Sequence, residues 1–166
     1  MLRDANATRD AVWEALTSEE RYHIIHYSGH AFFDSNDPAN SSLVLFDQDM
    51  EAGEIYNSLA QKPPVLSFMN GCETASTPSG NRYDIFSLAR AFLDTGSYLI
   101  GNRWRVGDKA AAAFAETFYK SLVTGYPLGQ VVRDARIACR KEMPLYDFSW
   151  ASYIFYGDPR LCFRKI

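Results

Sequence analysis

The sequence lacks the features of membrane-spanning and disulfide-rich proteins. No apolar run in its 166 residues approaches the roughly eighteen that a membrane-spanning helix needs, and the segment from Met1 to Asp4 lacks the apolar core of a secretory signal. Only three cysteines are present, Cys72, Cys139 and Cys162, and their spacing favours neither a disulfide framework nor a zinc site. We therefore expect a cytoplasmic protein with reduced thiols and no association with membranes.

An excess of charge of one sign is also missing. The formal net charge is −3, which predicts no special attraction to nucleic acid or to anionic lipid. The apolar fraction of 47% and the charged fraction of 22% are those of an ordinary globular protein. No internal repeat and no linker divides the chain, so we expect one domain over residues 1–166.

What the sequence does contain is an alternation of predicted strands and helices. The helix after Gly107 is predicted to have Asp108 as its N-cap, and Gly125 ends it. Because each parallel connection needs a crossover, the alternation predicts an α/β fold with a mainly parallel sheet. The predicted strands are 22–27, 43–46, 64–69, 97–101 and 151–156, and the predicted helices are 5–17, 51–60, 85–93, 108–124 and 127–139.

Two short motifs close two of the predicted buried strands. One is the segment from His26 to His30 and the other is the segment from Asn70 to Thr74, in which Cys72 comes forty-two residues after His30. The carboxyl ends of parallel strands meet at one edge of a sheet, where ligands and chemistry collect. A cysteine with a nearby imidazole is a nucleophile with its base, so the spacing suggests a His–Cys dyad.

Less specific interpretations of these residues stay open. Cys72 could be a small buried apolar residue, and His30 a loop histidine bonded to backbone. His23 and His26 lie within a strand segment and are expected to pack or to form hydrogen bonds, with His26 supporting the site from behind. A zinc site from His26 and His30 would need further ligands that the nearby sequence does not supply, so no metal and no cofactor are expected. Cys139 and Cys162 lie in apolar segments and are expected to be structural.

Four motifs in order resemble the CHAT family of caspase-like cysteine peptidases over about residues 5 to 161. They are the His-x-x-Gly-His segment at 26–30, the Cys-Glu-Thr segment at 72–74, the segment 102–108 before an alanine-rich helix, and Tyr-Gly-Asp-Pro at 156–159. The resemblance implies a caspase-like three-layer sandwich, with a mainly parallel sheet flanked by helices. It also implies that His30 and Cys72 are the catalytic dyad.

The resemblance further implies an oxyanion hole and a specificity pocket. The backbone N–H groups of Ala31 and Cys72 would bind the oxyanion, although Ala31 stands where the family usually has glycine. Trp104, Arg105 and Asp108 lie where relatives shape the pocket for the residue before the scissile bond. Asp108 would select a basic side chain and Arg105 an acidic one, and we expect the basic preference.

The activity implied is that of a thiol protease, a hydrolase that cleaves peptide bonds in a protein substrate. Relatives are commonly fused to sensor modules such as tetratricopeptide repeats, and some act in bacterial defence, including RNA-guided systems. We therefore expect a regulatory partner, and a longer polypeptide, since the strands that usually precede residue 5 are missing. The alternative is a catalytically inactive caspase-like interaction domain. A flavodoxin-like nucleotide binder would need a glycine-rich loop that residues 28–31 lack.

Overall fold

The computed structural model describes residues 1–34, 36–71 and 88–163, which contain six α-helices and seven strands. Short 3-10 helices lie at Asp4–Asn6 and Pro38–Asn40. The α-helices are α1 (Arg9–Thr17), α2 (Ala52–Leu59), α3 (Leu88–Leu93), α4 (Asp108–Leu122), α5 (Leu128–Glu142) and α6 (Ser149–Ser152). The strands are β1 (Ile24–Gly29), β2 (Ala31–Phe32), β3 (Ser42–Leu43), β4 (Met50–Glu51), β5 (Leu66–Gly71), β6 (Tyr98–Asn102) and β7 (Tyr153–Tyr156).

A mainly parallel sheet of four strands organises the described part of the chain, in the order β1-β5-β6-β7. β1, β5 and β6 are parallel, and β7 runs antiparallel to β6. The register between β1 and β5 begins with Ile24 opposite Leu66 and ends with Gly29 opposite Gly71. A second, antiparallel sheet has the order β2-β3-β4 and follows β1 directly along the chain.

Side chains alternate across the four-stranded sheet and pack into two helical layers. On one face Leu66 and Phe68 contact the apolar sides of α4 and α5, and on the other Met69 packs with α2 and α3. β5 is buried along its whole length, as a central strand covered on both faces should be. The three-layer α/β sandwich predicted from the sequence is therefore confirmed.

An aromatic cluster fills the layer between the sheet and α4. Phe114 and Phe118 lie one turn apart on α4 and are fully buried. The ring of Phe114 stacks on Tyr153 of β7 at 3.5 Å, and Phe118 lies 5.0 Å from Phe68 of β5. These contacts join α4 to the central strand and to the edge strand β7 of the same sheet.

Several sequence predictions need correction. The prediction that Asp108 is the N-cap of its helix is wrong, because Gly107 has the extended N-cap backbone and Asp108 is the first helical residue. Its carboxylate still lies at the positive end of the helix. The predicted strand 43–46 is shorter and displaced, since β3 covers Ser42–Leu43. The last strand starts only at Tyr153, because α6 occupies the two residues before it that were predicted as strand.

Within the residues that the structure describes, no helix combines the length and the apolar character that crossing a bilayer requires.

Candidate active site

The carboxyl ends of three parallel strands lie side by side at one edge of the sheet. Gly29 ends β1 opposite Gly71, which ends β5, and β6 ends beside them at Asn102. His30 directly follows β1, and residues 103–108 follow β6. Cys72, which follows Gly71 in the sequence, lies outside the described residues. The structure thus brings the predicted histidine and the predicted pocket segment to the same edge, on either side of the central strand.

Hydrogen bonds fix the backbone of His30 while its side chain is exposed to solvent. The His30 carbonyl accepts a bond from the Val44 N–H at 2.9 Å. The Tyr27 hydroxyl lies 2.5 Å from that same carbonyl and 2.7 Å from the carbonyl of Val44. Burial, and then the charge of Asp49, raise the pKa of Tyr27 above its usual range, so the hydroxyl keeps its proton as a donor. These hydrogen bonds therefore fix the backbone of the turn that carries the His30 imidazole.

Ala31 begins the small antiparallel sheet, opposite Leu43. In an antiparallel ladder, directly bonded pairs alternate with pairs that exchange no backbone bond. The bond from Val44 to His30 makes that neighbouring pair the bonded one. The N–H of Ala31 consequently turns away from β3.

Hydrogen bonds to three elements, α4, β6 and β7, hold the last residues of β5. The Asn70 amide donates to the Ala111 carbonyl at 3.2 Å, and its oxygen accepts a bond from the Tyr153 hydroxyl at 2.8 Å. The Asn102 amide donates to the Gly71 carbonyl at 3.2 Å. Both asparagines lie in the sequence motifs described above, but the motifs alone predict no role for them. The available signal was an amide at the end of a buried apolar strand, where a polar group needs a partner.

Ser152 holds the segment that follows β6. Its hydroxyl accepts a bond from the Trp104 N–H at 3.1 Å and donates to the Trp104 carbonyl at 2.9 Å. The side chains of Trp104, Arg105 and Asp108 are exposed, whereas Val106 between them is buried in the core. Among the described residues no ion pair engages Arg105 or Asp108. Both charges are available to a ligand at this edge.

The other two cysteines of the sequence lie within the described residues, in different surroundings. Cys139 is fully buried in the α4–α5 layer, and its Sγ lies 3.6 Å from the Ala110 carbonyl. Burial, with a smaller contribution from Asp147, raises its pKa to about 11, so it remains a thiol. Cys162 is exposed and lies 3.4 Å from the Arg160 carbonyl. Within residues 1–34, 36–71 and 88–163, no group of three His, Cys, Asp or Glu side chains is placed to hold a metal ion.

His26 packs rather than facing the site, as predicted. Its ring stacks on Phe68 at 4.4 Å with an angle of 4° between the planes, and it also lies against Tyr119. Although the residue retains solvent exposure, the covered ring face loses water, and this burial lowers the pKa of His26 below its ordinary value. The folded protein thus favours the neutral imidazole.

The His26 shift predicts a loss of stability in mild acid. The unfolded chain binds this proton near the ordinary pKa of about 6.5, whereas the folded chain binds it only at lower pH. The free energy of unfolding should therefore fall as the pH drops below about 6.5, and the His26 contribution levels off below the folded pKa. Urea unfolding of the wild type and His26→Phe between neutral and mildly acidic pH measures this contribution. Equal pH slopes for the two proteins would contradict it.

Comparisons with known proteins show the family of this chain and a solved structure with a similar fold. The family model for the CHAT domain matches residues 1–158 of the chain. No curated protein matches the sequence. Among solved structures, the crystal structure of protein GSU0716 from Geobacter sulfurreducens is similar, with a TM-score of 0.51 and 17% sequence identity. The match covers 93% of this chain and 75% of that chain. At this identity the likeness supports the fold alone.

Proposed function

Because the chain belongs to the CHAT domain family, whose members are related to caspase-like peptidases, we propose that it is a cysteine endopeptidase with a His30–Cys72 dyad. The observation that supports the dyad best is the register that places Gly29 opposite Gly71. Neighbouring strands lie about 4.8 Å apart, and each proposed catalytic residue is the next one along its chain. This pairing of Gly29 with Gly71 supports the proposal that His30 and Cys72 act together.

In the proposed mechanism, His30 accepts the thiol proton of Cys72, and the thiolate attacks the carbonyl carbon of a substrate peptide bond. The C–N bond then breaks, and the imidazolium gives its proton to the departing amine. Water, deprotonated by His30, hydrolyses the thioester and regenerates the thiol. An ordinary cysteine has a pKa of about 8.5, so the imidazole is needed to form thiolate at neutral pH.

The oxyanion of the tetrahedral intermediate would be bound by the N–H groups of Ala31 and Cys72. The pairing of β2 supports the first donor, because the Ala31 N–H turns away from β3 and is not used by that ladder. Alanine keeps the N–H that the family's usual glycine provides, with less freedom in its backbone angles. One such donor is worth about 2.7–4 kcal/mol of transition-state stabilisation.

Trp104, Arg105 and Asp108 are proposed to form the pocket for the residue before the scissile bond. The two hydrogen bonds between the Ser152 hydroxyl and Trp104 support this role, because they fix the backbone of Trp104 at the sheet edge and leave its ring exposed. Asp108 would bind an Arg or Lys side chain by a charge-assisted hydrogen bond, while Arg105 would favour an acidic one. We expect the basic preference to prevail.

The pocket proposal predicts that Asp108→Ala lowers selectivity for basic residues. With the carboxylate removed, kcat/KM for an Arg substrate should fall about tenfold or more, while an alanine substrate is affected little. Arg105→Ala is the matched variant, and it should lower only turnover of an Asp substrate. Peptide libraries that differ at this one position measure the effect, and unchanged selectivity in Asp108→Ala would remove the residue from the pocket.

We also propose that a partner switches the peptidase on, acting in the cytoplasm and in bacterial defence. The partner would be a fused or separate sensor module, either tetratricopeptide repeats or an RNA-guided effector, and the target a protein substrate. An active endopeptidase damages its own cell, which favours an off state. The chain alone should then show low turnover, and maximal activity without any partner would contradict the switch.

The experiment that tests the proposed activity is labelling by a peptide that carries an electrophilic ketone. Mass spectrometry should locate the label on Cys72 in the wild type and find it lost in His30→Ala. Cys162→Ala is the matched control, because Cys162 is an exposed thiol that the mechanism does not use. Labelling of Cys162 as well as Cys72, or labelling that is unaffected by His30→Ala, would favour the inactive interaction domain instead.

A further inference from the structure

A groove of about 500 Å³ runs between α5 and β7, at the opposite edge of the main sheet from β1. Its apolar floor includes Val132, which is almost fully buried, and the partly buried Phe155. Ile137 lines the groove and is 45% exposed, and Trp150 from α6 lines it as well. None of these side chains has a part in the proposed peptidase mechanism.

Three arginines of α5 line the same groove. Arg133, Arg136 and Arg140 are spaced three and four residues apart, which places them along one side of the helix. Arg136 donates to the carbonyls of Trp150 at 3.2 Å and Ala151 at 3.4 Å. The guanidinium of Arg140 lies 5.2 Å above the centre of the Trp150 ring. This row of cations stands out on a chain whose net charge is −3.

The carboxylates near this row leave most of its charge uncompensated. Arg133 forms an ion pair with Asp134, its neighbour on the helix, at 2.9 Å. For Arg136 and Arg140, no carboxylate within the described ranges comes within ion-pair distance. Positive charge beside an apolar floor favours a ligand that carries carboxylates on an apolar framework.

The other wall of the groove is the outer edge of β7. In the part of the chain that the structure describes, β7 pairs with β6 and with no second strand. The N–H of Arg103 donates to the Ser152 carbonyl, which makes that pair a bonded one. Bonded pairs alternate, so Phe155 turns its backbone N–H and C=O toward the groove. An edge of this kind binds another extended backbone.

We propose that the groove binds an extended acidic segment of a partner protein, which adds a strand to β7 and places its carboxylates against Arg133, Arg136 and Arg140. From Gly129 to Arg140 the groove follows roughly 16 Å of helix, the length of about five extended residues. Alternate side chains of a strand point to opposite faces of the sheet, so every second residue of the added segment faces α5, where a carboxylate meets the arginines.

Other occupants fit this surface less well. A second copy of the chain, paired through β7 about a two-fold axis, would bring the same arginine row of each copy together, and like charges repel. Nucleic acid would satisfy the arginines, but it has no backbone that continues the hydrogen-bond ladder of a strand. The combination of strand edge, apolar floor and cations therefore favours a polypeptide.

The test uses a fluorescein-labelled peptide of about eight residues in which Glu and Val alternate, with fluorescence anisotropy as the measurement. Wild-type protein should bind this peptide, and added salt should weaken the complex. Arg133→Glu combined with Arg140→Glu should weaken binding about tenfold or more. Both side chains are exposed, and Arg136, which braces α6, is left in place. Arg3→Glu with Arg21→Glu makes the same change of charge at exposed positions elsewhere and should bind as wild type.

Two further probes separate strand addition from simple charge attraction. A peptide with Lys in place of Glu should not bind, and one with prolines at its centre should bind weakly, because proline lacks the N–H that the ladder needs. Equal binding of either peptide would overturn the proposal, as would no binding of the acidic peptide. An unchanged affinity in the double variant would also overturn the proposal. Equal thermal unfolding of the variant and the wild type shows that the variant is folded. Self-association abolished by the double variant would identify a second copy as the occupant, and tighter binding of a single-stranded oligonucleotide would identify nucleic acid.

Discussion

A Cys72→Ala variant should lose activity by at least about 10⁴-fold in kcat/KM, because no other group in the proposed mechanism can form the thioester. Hydrolysis of a fluorogenic peptide with a basic residue before the scissile bond measures the loss. The fold should be retained, since a cysteine replaced by alanine changes little volume, and circular dichroism checks this. Cys162→Ala removes an exposed thiol elsewhere and should leave kcat/KM unchanged.

His30→Ala provides a second prediction of the same mechanism. Without the imidazole the thiol is not activated, so the single variant should lose nearly as much activity as Cys72→Ala. Residues that act as a unit are strongly non-additive, and the double variant should be no slower than either single one. Parental activity in either single variant would show that the dyad is not the catalytic machinery.

The two parallel strands that precede the proposed catalytic residues could be predicted from the sequence because their signals are local. The runs that precede His30 and Cys72 are apolar, rich in strand formers and ended by glycine, and buried parallel strands have this pattern. The structure moves the first strand two residues along, to Ile24–Gly29, which places His30 directly after it. The apolar pattern predicts that the strand exists, but it does not predict where the strand begins and ends.

The supports of the site could not be predicted, because they join residues far apart in the sequence. Ser152 meets Trp104 across forty-eight residues, and Asn102 meets Gly71 across thirty-one. A hydrogen bond from a side chain to a distant backbone group does not alter the hydrophobic periodicity of the segment that carries the side chain, so the sequence pattern does not predict it. The same reason hides β2, β3 and β4, since a strand of two residues is too short to show alternation. Tertiary pairing, rather than local preference, creates these elements.

Phe114→Ala should lower the free energy of unfolding by about 3–5 kcal/mol, the cost of removing a buried aromatic side chain and leaving a cavity. Phe114 is fully buried and its ring stacks on Tyr153 at 3.5 Å. Urea unfolding followed by circular dichroism measures the change. Since domains of this size are stable by only about 5–15 kcal/mol, the variant should lose a large part of its stability.

Phe148→Ala is the matched control, because it deletes the same side chain where it is 61% exposed, and it should change stability by about 0.5 kcal/mol or less. The comparison of these two variants also tests whether Phe114 affects the candidate active site. The Tyr153 ring that Phe114 supports carries the hydroxyl that holds Asn70, two residues before Cys72. At a low temperature where Phe114→Ala is still folded, its kcat/KM should therefore fall below that of Phe148→Ala. A loss of stability without any loss of activity would show that the aromatic cluster stabilises the fold but does not position the end of β5.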